Sequence, residues 1–367
     1  MTKTLRISTV MFAVMAFVAL TWMSPSALWA QRPHKEPPKA SNAPDDNGGD
    51  SAADRPVLRD KTQAQEPVTT LKVNVQLVNL YFNVKDKRGA LIPNLKKEDF
   101  TVLEDGKPQS IKYFTAESNL PLTLGILVDT SGSQRNVLPM EQAAGSVFLH
   151  DVLTPKDMAF LINFDINVEL DQDYTSDAGR LAHALDRMTI NDGGGGGAGG
   201  IAGAGQGTIP VYHPRGTLLY DAVYLAAHEK LSREFGRKAM VLLTDGGDQG
   251  SQETLASAIE AAQRSEVIVY VILMADRGLD LMYRGSAGSS MHKLAEATGG
   301  RVIDVGNNQK KLREALDQIG IELRSQYMIG YIPENTATNG KYRKVEVKPA
   351  SSEYKIQVRK GYFAPKE

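Results

Sequence analysis

Cysteine is absent from all 367 residues. That removes disulfides, thiolate metal sites and a lipid-modified cysteine from consideration. Histidine is scarce: six copies, in no zinc-ligand spacing. The formal net charge is −1, and no basic stripe with interleaved aromatics occurs, so the electrostatic footprint of a nucleic-acid binder is missing. No apolar run reaches the roughly 20 residues that a membrane span needs. The longest, 9–23, follows Lys3 and Arg6 and precedes Ser24-Pro25-Ser26 and Ala27-Leu28-Trp29-Ala30. That order of basic, apolar and small residues predicts an export signal over 1–30. A membrane association is expected only if this leader stays uncleaved. Export without disulfides points to the periplasm, envelope or surroundings of a bacterium.

What is present begins with a linker-like composition. Residues 31–66 are rich in Pro, Asn, Asp, Ser and charge, and have too little apolar content to build a core. From Thr70 period-2 alternation sets in, with Leu71, Val73, Val75 and Leu77 in one phase and Val78, Leu80, Phe82 and Val84 in the other. The phase slip predicts a bulge or a strand crossing between sheets. Asp86-Lys87-Arg88-Gly89 and Asp105-Gly106 read as turns, with strands around 99–104 and 111–114. Three more strand patterns lie near 326–331, 342–347 and 354–359. Neither flank buries much alone. The expectation is one immunoglobulin-like sandwich made of 67–118 and 326–364, with the intervening domain inserted; two separate small β modules are the alternative.

Between the flanks, elements alternate as a doubly wound α/β fold with a mostly parallel sheet requires. Residues 122–128 (LTLGILV) are an apolar run suited to a strand buried on both faces. A helix is expected over 139–152, with Met140, Ala143, Ala144, Val147 and Phe148 inward. Further strands are expected at 158–164, 239–244, 267–274 and 301–305, and an antiparallel edge strand at 166–170. Helices follow at 177–188, 253–264, 291–297 and 309–324.

At the end of the first buried strand stand Asp129, Ser131 and Ser133. Ligands of open α/β sheets bind outside the carboxyl ends of strands. The alternation D-x-S-x-S suits a hard divalent cation: Mg²⁺ takes octahedral oxygen ligands and keeps several waters. Two hydroxyls can bind directly, while the carboxylate holds a coordinated water and supplies charge. Two more oxygen donors are needed. The candidates are Thr217, in a Gly-Thr loop that opens a helix, and Asp245, which ends a second apolar strand before Gly246-Gly247.

That ordered set resembles the metal-ion-dependent adhesion site of von Willebrand factor A (VWA) domains over 119–325. The flanking phrases Asp99-Phe100, Glu104-Asp105-Gly106-Lys107, Gln109, Ile111, Phe114 and Gly361-Tyr362 resemble the secreted bacterial VWFA-related family, extending the likeness over 70–364. The resemblance implies a Rossmann-like VWA domain with Mg²⁺, or Mn²⁺ or Ca²⁺, at Asp129, Ser131, Ser133, Thr217 and Asp245. It implies a protein partner that presents an Asp or Glu carboxylate to the ion. It also implies that ligand entry can shift Thr217 between direct and water-bridged contact, with movement of the last helix.

Arg215, Tyr220 and Asp248 flank these positions and are rim candidates. His213 reads as a loop residue, and Asp165, Asp171 and Asp173 as turn carboxylates lacking the pattern of a calcium loop. The glycine-rich stretch 193–207 has no Gly-Lys-Ser/Thr phrase after it, so no nucleotide is expected; a lip near the site is the functional expectation for it. No Gly-x-Ser-x-Gly surrounds Ser131 or Ser133, and no histidine is placed to activate them. The chain is therefore expected to be a binding module rather than an enzyme. The competing readings are a structural envelope module braced by a metal, and a metal-assisted hydrolase with Asp248 as base.

Overall fold

The computed structural model describes residues 76–116, 120–191, 216–274 and 281–366; the side chains of 281–286 are not described. The leader, the linker, the 71–75 alternation, His213, Arg215 and the glycine-rich stretch lie outside the described residues.

Two largely apolar strands set the architecture. β5 (Leu122–Asp129) and β8 (Arg237–Thr244) are buried along all eight residues each and pair in parallel. Burial on both faces requires helices above and below, and both are present. The sheet runs β10-β9-β8-β5-β6-β7, adding β6 (Met158–Phe164), β7 (Val168–Thr175), β9 (Val267–Leu273) and β10 (Val302–Asp304). All neighbours are parallel except β7, which returns antiparallel on β6. Counted within the sheet, the order is 3-2-1-4-5-6, and its reversal falls between β5 and β8.

Side chains alternate across this sheet. Leu124, Ile126 and Val128 of β5 face one core, shared with α1 (Leu138–Val152), α2 (Ala178–Asp186) and α6 (Gln309–Arg324). Leu127, Met240 and Leu242 face a second core, shared with α3 (Leu219–Leu225), α4 (Leu255–Arg264) and α5 (Leu281–Thr298). Helix starts follow local chemistry: Asp177 accepts from Gly179 and Arg180, Thr254 from Ser257, and Asn308 from Lys311. No helix among the described residues is long and apolar enough to cross a membrane.

Two departures from the sequence expectation stand out. α5 begins ten residues before the expected Met291; Gly285, Ser286, Gly288, Ser289 and Ser290 weaken its intrinsic helix signal. α1 is turned relative to the expected face. Its buried residues are Leu138, Glu141, Ala144, Gly145, Phe148, Leu149 and Val152, while Val147 is exposed. Glu141, a carboxylate, points into the protein.

The two flanks are interleaved. One four-stranded sheet runs β13-β1-β11-β4 and the other β14-β12-β2-β3. The first flank supplies β1 (Val78–Lys85), β2 (Phe100–Glu104), β3 (Lys107–Gln109) and β4 (Ile111–Ala116). The second supplies β11 (Tyr327–Tyr331), β12 (Tyr342–Pro349), β13 (Lys355–Gln357) and β14 (Gly361–Phe363). One core of Val78, Leu80, Phe82, Phe100, Val102, Ile329 and Val345 draws on both. Asp105 and Gly106 both take positive φ, 48° and 82°, which a tight hairpin turn requires.

These sheets grip the α/β layer at the end of the sheet opposite the β5 and β8 C-termini. Glu322 of α6 is buried and accepts from Lys85 Nζ at 2.8 Å and Arg301 Nε at 2.9 Å. Burial lowers the Lys85 pKa, and the Glu322 carboxylate offsets part of that shift. α6 leads directly into β11, so the last helix is anchored at its C-terminal end.

Candidate metal centre

Parallel register aligns Val128 with Leu243, which puts the next residues, Asp129 and Thr244, side by side at the reversal of strand order. Thr244 Oγ1 donates to Asp129 Oδ2 at 2.7 Å and accepts from Gly246 N at 3.0 Å. Asp129 is fully buried, and its other oxygen accepts from Ser131 N at 3.0 Å, which folds the D-x-S-x-S turn back over the strand end.

That turn brings Ser131 Oγ and Ser133 Oγ to 3.0 Å of each other. Two oxygens in adjacent positions of an octahedron with metal–oxygen bonds of roughly 2.0–2.1 Å stand about 2.9 Å apart. The two hydroxyls share a hydrogen bond, and their separation is also the one that adjacent ligands of a small cation would have.

The electrostatics also suit a cation. Burial, and then the nearby charge of Asp245, push the Asp129 carboxyl up to about 7. The hydrogen bonds from Ser131 and Thr244 pull the other way without cancelling this. A divalent ion relieves both causes. No group of three or more His, Cys, Asp or Glu with metal-binding geometry occurs among the described residues.

The other loops meet on the same edge. Thr130 Oγ1 donates to Asp165 Oδ2 at 3.2 Å, and Leu218 N donates to Asp165 O at 2.7 Å, linking the loops after β5 and β6 to the one that opens α3. Thr217 exchanges two backbone bonds with Gln249, each 2.9 Å, which ties its loop to the one after β8. Gly216 must be glycine there, since a Cβ would lie 2.7 Å from Gln249 O. In the β8 loop, Asp245 Oδ1 accepts from Gly247 N at 3.0 Å, and Gly246 takes φ +83°.

Among the rim candidates, Asp248 Oδ1 caps Tyr220 N at 3.1 Å and accepts from Ser251 Oγ at 2.5 Å, so its bonds brace the α3 entrance. Tyr220 packs partly buried against the second core. Asp165, Asp171 and Asp173 disperse: Asp171 accepts from Asn163, and Asp173 pairs with Lys230 at 2.5 Å.

Three residues at the site escape a reading of the sequence. Thr244 looks like the last residue of an apolar strand; its contact with Asp129 exists only because β5 and β8 are neighbours. Gln134 and Glu141 are fully buried beside the loop, although their polarity predicts exposure.

No family model matches the chain, and no curated protein does. Solved structures do align with it. BatB, a conserved hypothetical protein of Bacteroides thetaiotaomicron, is 17% identical with a TM-score of 0.40, covering 56% of this chain and all of BatB. The vWF domain of the type V pili tip protein Mfa5 from Porphyromonas gingivalis is 13% identical with a TM-score of 0.41, covering 55% of this chain and 94% of that one. Proximal thread matrix protein 1 of the mussel byssus, solved with a zinc-occupied MIDAS motif, is 16% identical with a TM-score of 0.43 over 59% of this chain. The alignment spans about half, 48%, of the mussel protein's length.

Proposed function

We infer that this chain is a von Willebrand factor A-type domain protein whose sheet-edge loops bind a divalent cation and use it to capture an acidic side chain of a protein partner. The observation that carries the reading is the pair of serine hydroxyls 3.0 Å apart beside a buried carboxylate, at the reversal of strand order. In this reading Ser131, Ser133 and Thr217 ligate the ion directly. Asp129 and Asp245 hold coordinated waters and supply the balancing charge. When bound, the ion supplies a Lewis-acidic position that attracts a carboxylate. With neutral oxygens as its direct protein ligands, its charge stays under-compensated, and a partner's Asp or Glu completes it.

The hydrogen bonds joining the four loops favour capture over a purely bracing ion. Thr217–Gln249, Leu218–Asp165 and Thr130–Asp165 hold the loops together through protein atoms alone. The 1–30 leader places the protein outside the cytoplasm in this reading, with 31–66 as a tether.

The test is affinity capture from an envelope fraction with and without chelator, using Ser131→Ala as the control. Retention that needs Mg²⁺ and fails in Ser131→Ala is expected. Equal retention in chelator contradicts the reading.

A further inference from the structure

A bound cation accepts any carboxylate that reaches it, so the ion alone does not choose among acidic partners. Choice comes from what the residues beside that acid meet. The loops that follow the strands of the central sheet present mainly polar side chains and glycine: Arg135, Asn136, Asn167 and Gln249 are exposed there, as are Gly132 and Gly250. Ile166 is the exception. It is 43% exposed, and among the described residues it is the one large apolar side chain left exposed in these loops.

The turn that carries Ile166 is fastened to two of the loops that hold the candidate ligands. Asp165, buried at its start, accepts from Thr130 Oγ1 at 3.2 Å and from Leu218 N at 2.7 Å. Thr130 lies between Asp129 and Ser131, and Leu218 follows Thr217. Asp165 N donates to Asn167 O, and Asn167 N donates to Asp165 Oδ1, both at 2.9 Å, which closes the turn around Ile166. The isoleucine then leans on the loop that opens α3: a Cβ built on Gly216 would stand 3.8 Å from its Cγ2. One side of Ile166 thus rests beside Thr217 while the rest faces solvent. Turns favour Gly, Pro, Asn, Asp and Ser, so the turn itself does not call for isoleucine. A β-branched side chain on a fastened backbone also loses little freedom when something packs against it.

We propose that Ile166 is the specificity-determining residue of the cation site, receiving an apolar side chain that stands next to the acid of the partner. The proposal rests on the metal-site reading above. The partner's carboxylate completes the ion, and its neighbouring Leu, Ile, Val, Met or Phe covers the open side of Ile166. A polar or charged neighbour would be desolvated against the isoleucine without a hydrogen-bond partner, which disfavours it.

The test is selection from a bead-borne peptide library with one fixed Asp and random residues on either side, in Mg²⁺ and in chelator. The full chain is used as wild type, Ile166→Ser, Ile166→Lys, Leu170→Ser and Ser131→Ala. Leu170 is 46% exposed on β7, the edge strand, and controls for nonspecific apolar binding. Wild type in Mg²⁺ is expected to select beads with an apolar residue next to the Asp. Ile166→Ser should lose that preference, and Ile166→Lys should exchange it for a second acidic residue, while both still retain beads in Mg²⁺. A peptide selected by wild type should bind Ile166→Ser roughly tenfold more weakly, the scale of one lost aliphatic contact. Leu170→Ser should select as wild type does. Mg²⁺-dependent retention with no apolar preference in wild type, or with the same preference in both Ile166 variants, overturns the proposal and leaves the metal-site reading standing. A preference lost equally in Leu170→Ser overturns it too. If no form retains beads in a Mg²⁺-dependent way, or Ser131→Ala retains them as wild type does, the site reading falls and this inference falls with it.

Discussion

The hydroxyl of Thr244 donates to the carboxylate of Asp129 at 2.7 Å, across 115 residues of sequence. The bond joins the ends of β5 and β8 where the strand order reverses, and it fixes which way the Asp129 carboxylate faces. Partners that orient a ligand are commonly worth 10–100-fold in metal affinity. Thr244→Val keeps the shape and removes the donor. It should weaken Mg²⁺ binding by about tenfold in titration calorimetry; an unchanged affinity would show that Asp129 is oriented by other contacts.

Glu104 and Arg343 pair within one flanking sheet, and Tyr331 of the other sheet and Tyr362 donate to Glu104 at 2.8 and 2.9 Å. Breaking a buried pair by removing one partner typically costs ~3–5 kcal/mol. Glu104→Ala should therefore lower the denaturation midpoint sharply. A double replacement by apolar residues, Glu104→Leu with Arg343→Leu, should recover part of the loss. A single variant as stable as wild type would contradict the account.

Asp157 accepts from Leu122 N and Thr154 N, both at 2.9 Å, and pairs with Arg324 at 2.6 Å. Burial alone raises its pKa, but Arg324 and Thr154 outweigh that, so the folded value lies below the ordinary one. A depressed carboxylate contributes stability that is present above its unfolded pKa of about 3.9 and is lost as pH falls through the folded value. Hydrogen bonds to a charged group are worth ~1.5–3 kcal/mol. Asp157→Asn should cost that order at pH 7, with the gap to wild type narrowing as pH falls below the ordinary carboxylate pKa of about 3.9. Urea unfolding above and below that value checks this; a gap of constant size would contradict it.

Gly300 sits in the loop between α5 and β10, where a Cβ would meet Val269 O of β9 at 1.9 Å. Gly300→Ala must push backbone against backbone. Overpacking typically costs ~1–3 kcal/mol, and the upper end is expected here. A Tm within a degree of wild type would show that the loop can relax.

Much of this was legible in local patterns. The runs at 122–128 and 239–244 read as doubly buried strands because they are almost entirely apolar and no charged residue interrupts them until the site begins. Asp129, Ser131 and Ser133 stood out because a carboxylate and two hydroxyls are costly immediately after such a run unless they do something. What stayed hidden depends on contacts distant in sequence. Thr244 gains its role only when β5 lies beside β8. Glu141 faces inward because Gln134, Val137 and Glu141 continue the spiral that starts at Ser131, whereas a rule that puts charge outside turns α1 by about one position. α5 read short because its first half is rich in glycine and serine, and tertiary packing overrode that propensity.

The central claim concerns an ion at the strand ends, and diffraction with Mn²⁺ addresses it most directly. Crystals grown or soaked in MnCl₂ should show one anomalous peak between the hydroxyls of Ser131, Ser133 and Thr217, at roughly 2.1–2.2 Å from the first two. Asp129 should lie behind it at water-bridged distance. A peak elsewhere, or none at that position while Mn²⁺ is present in excess, would contradict the account.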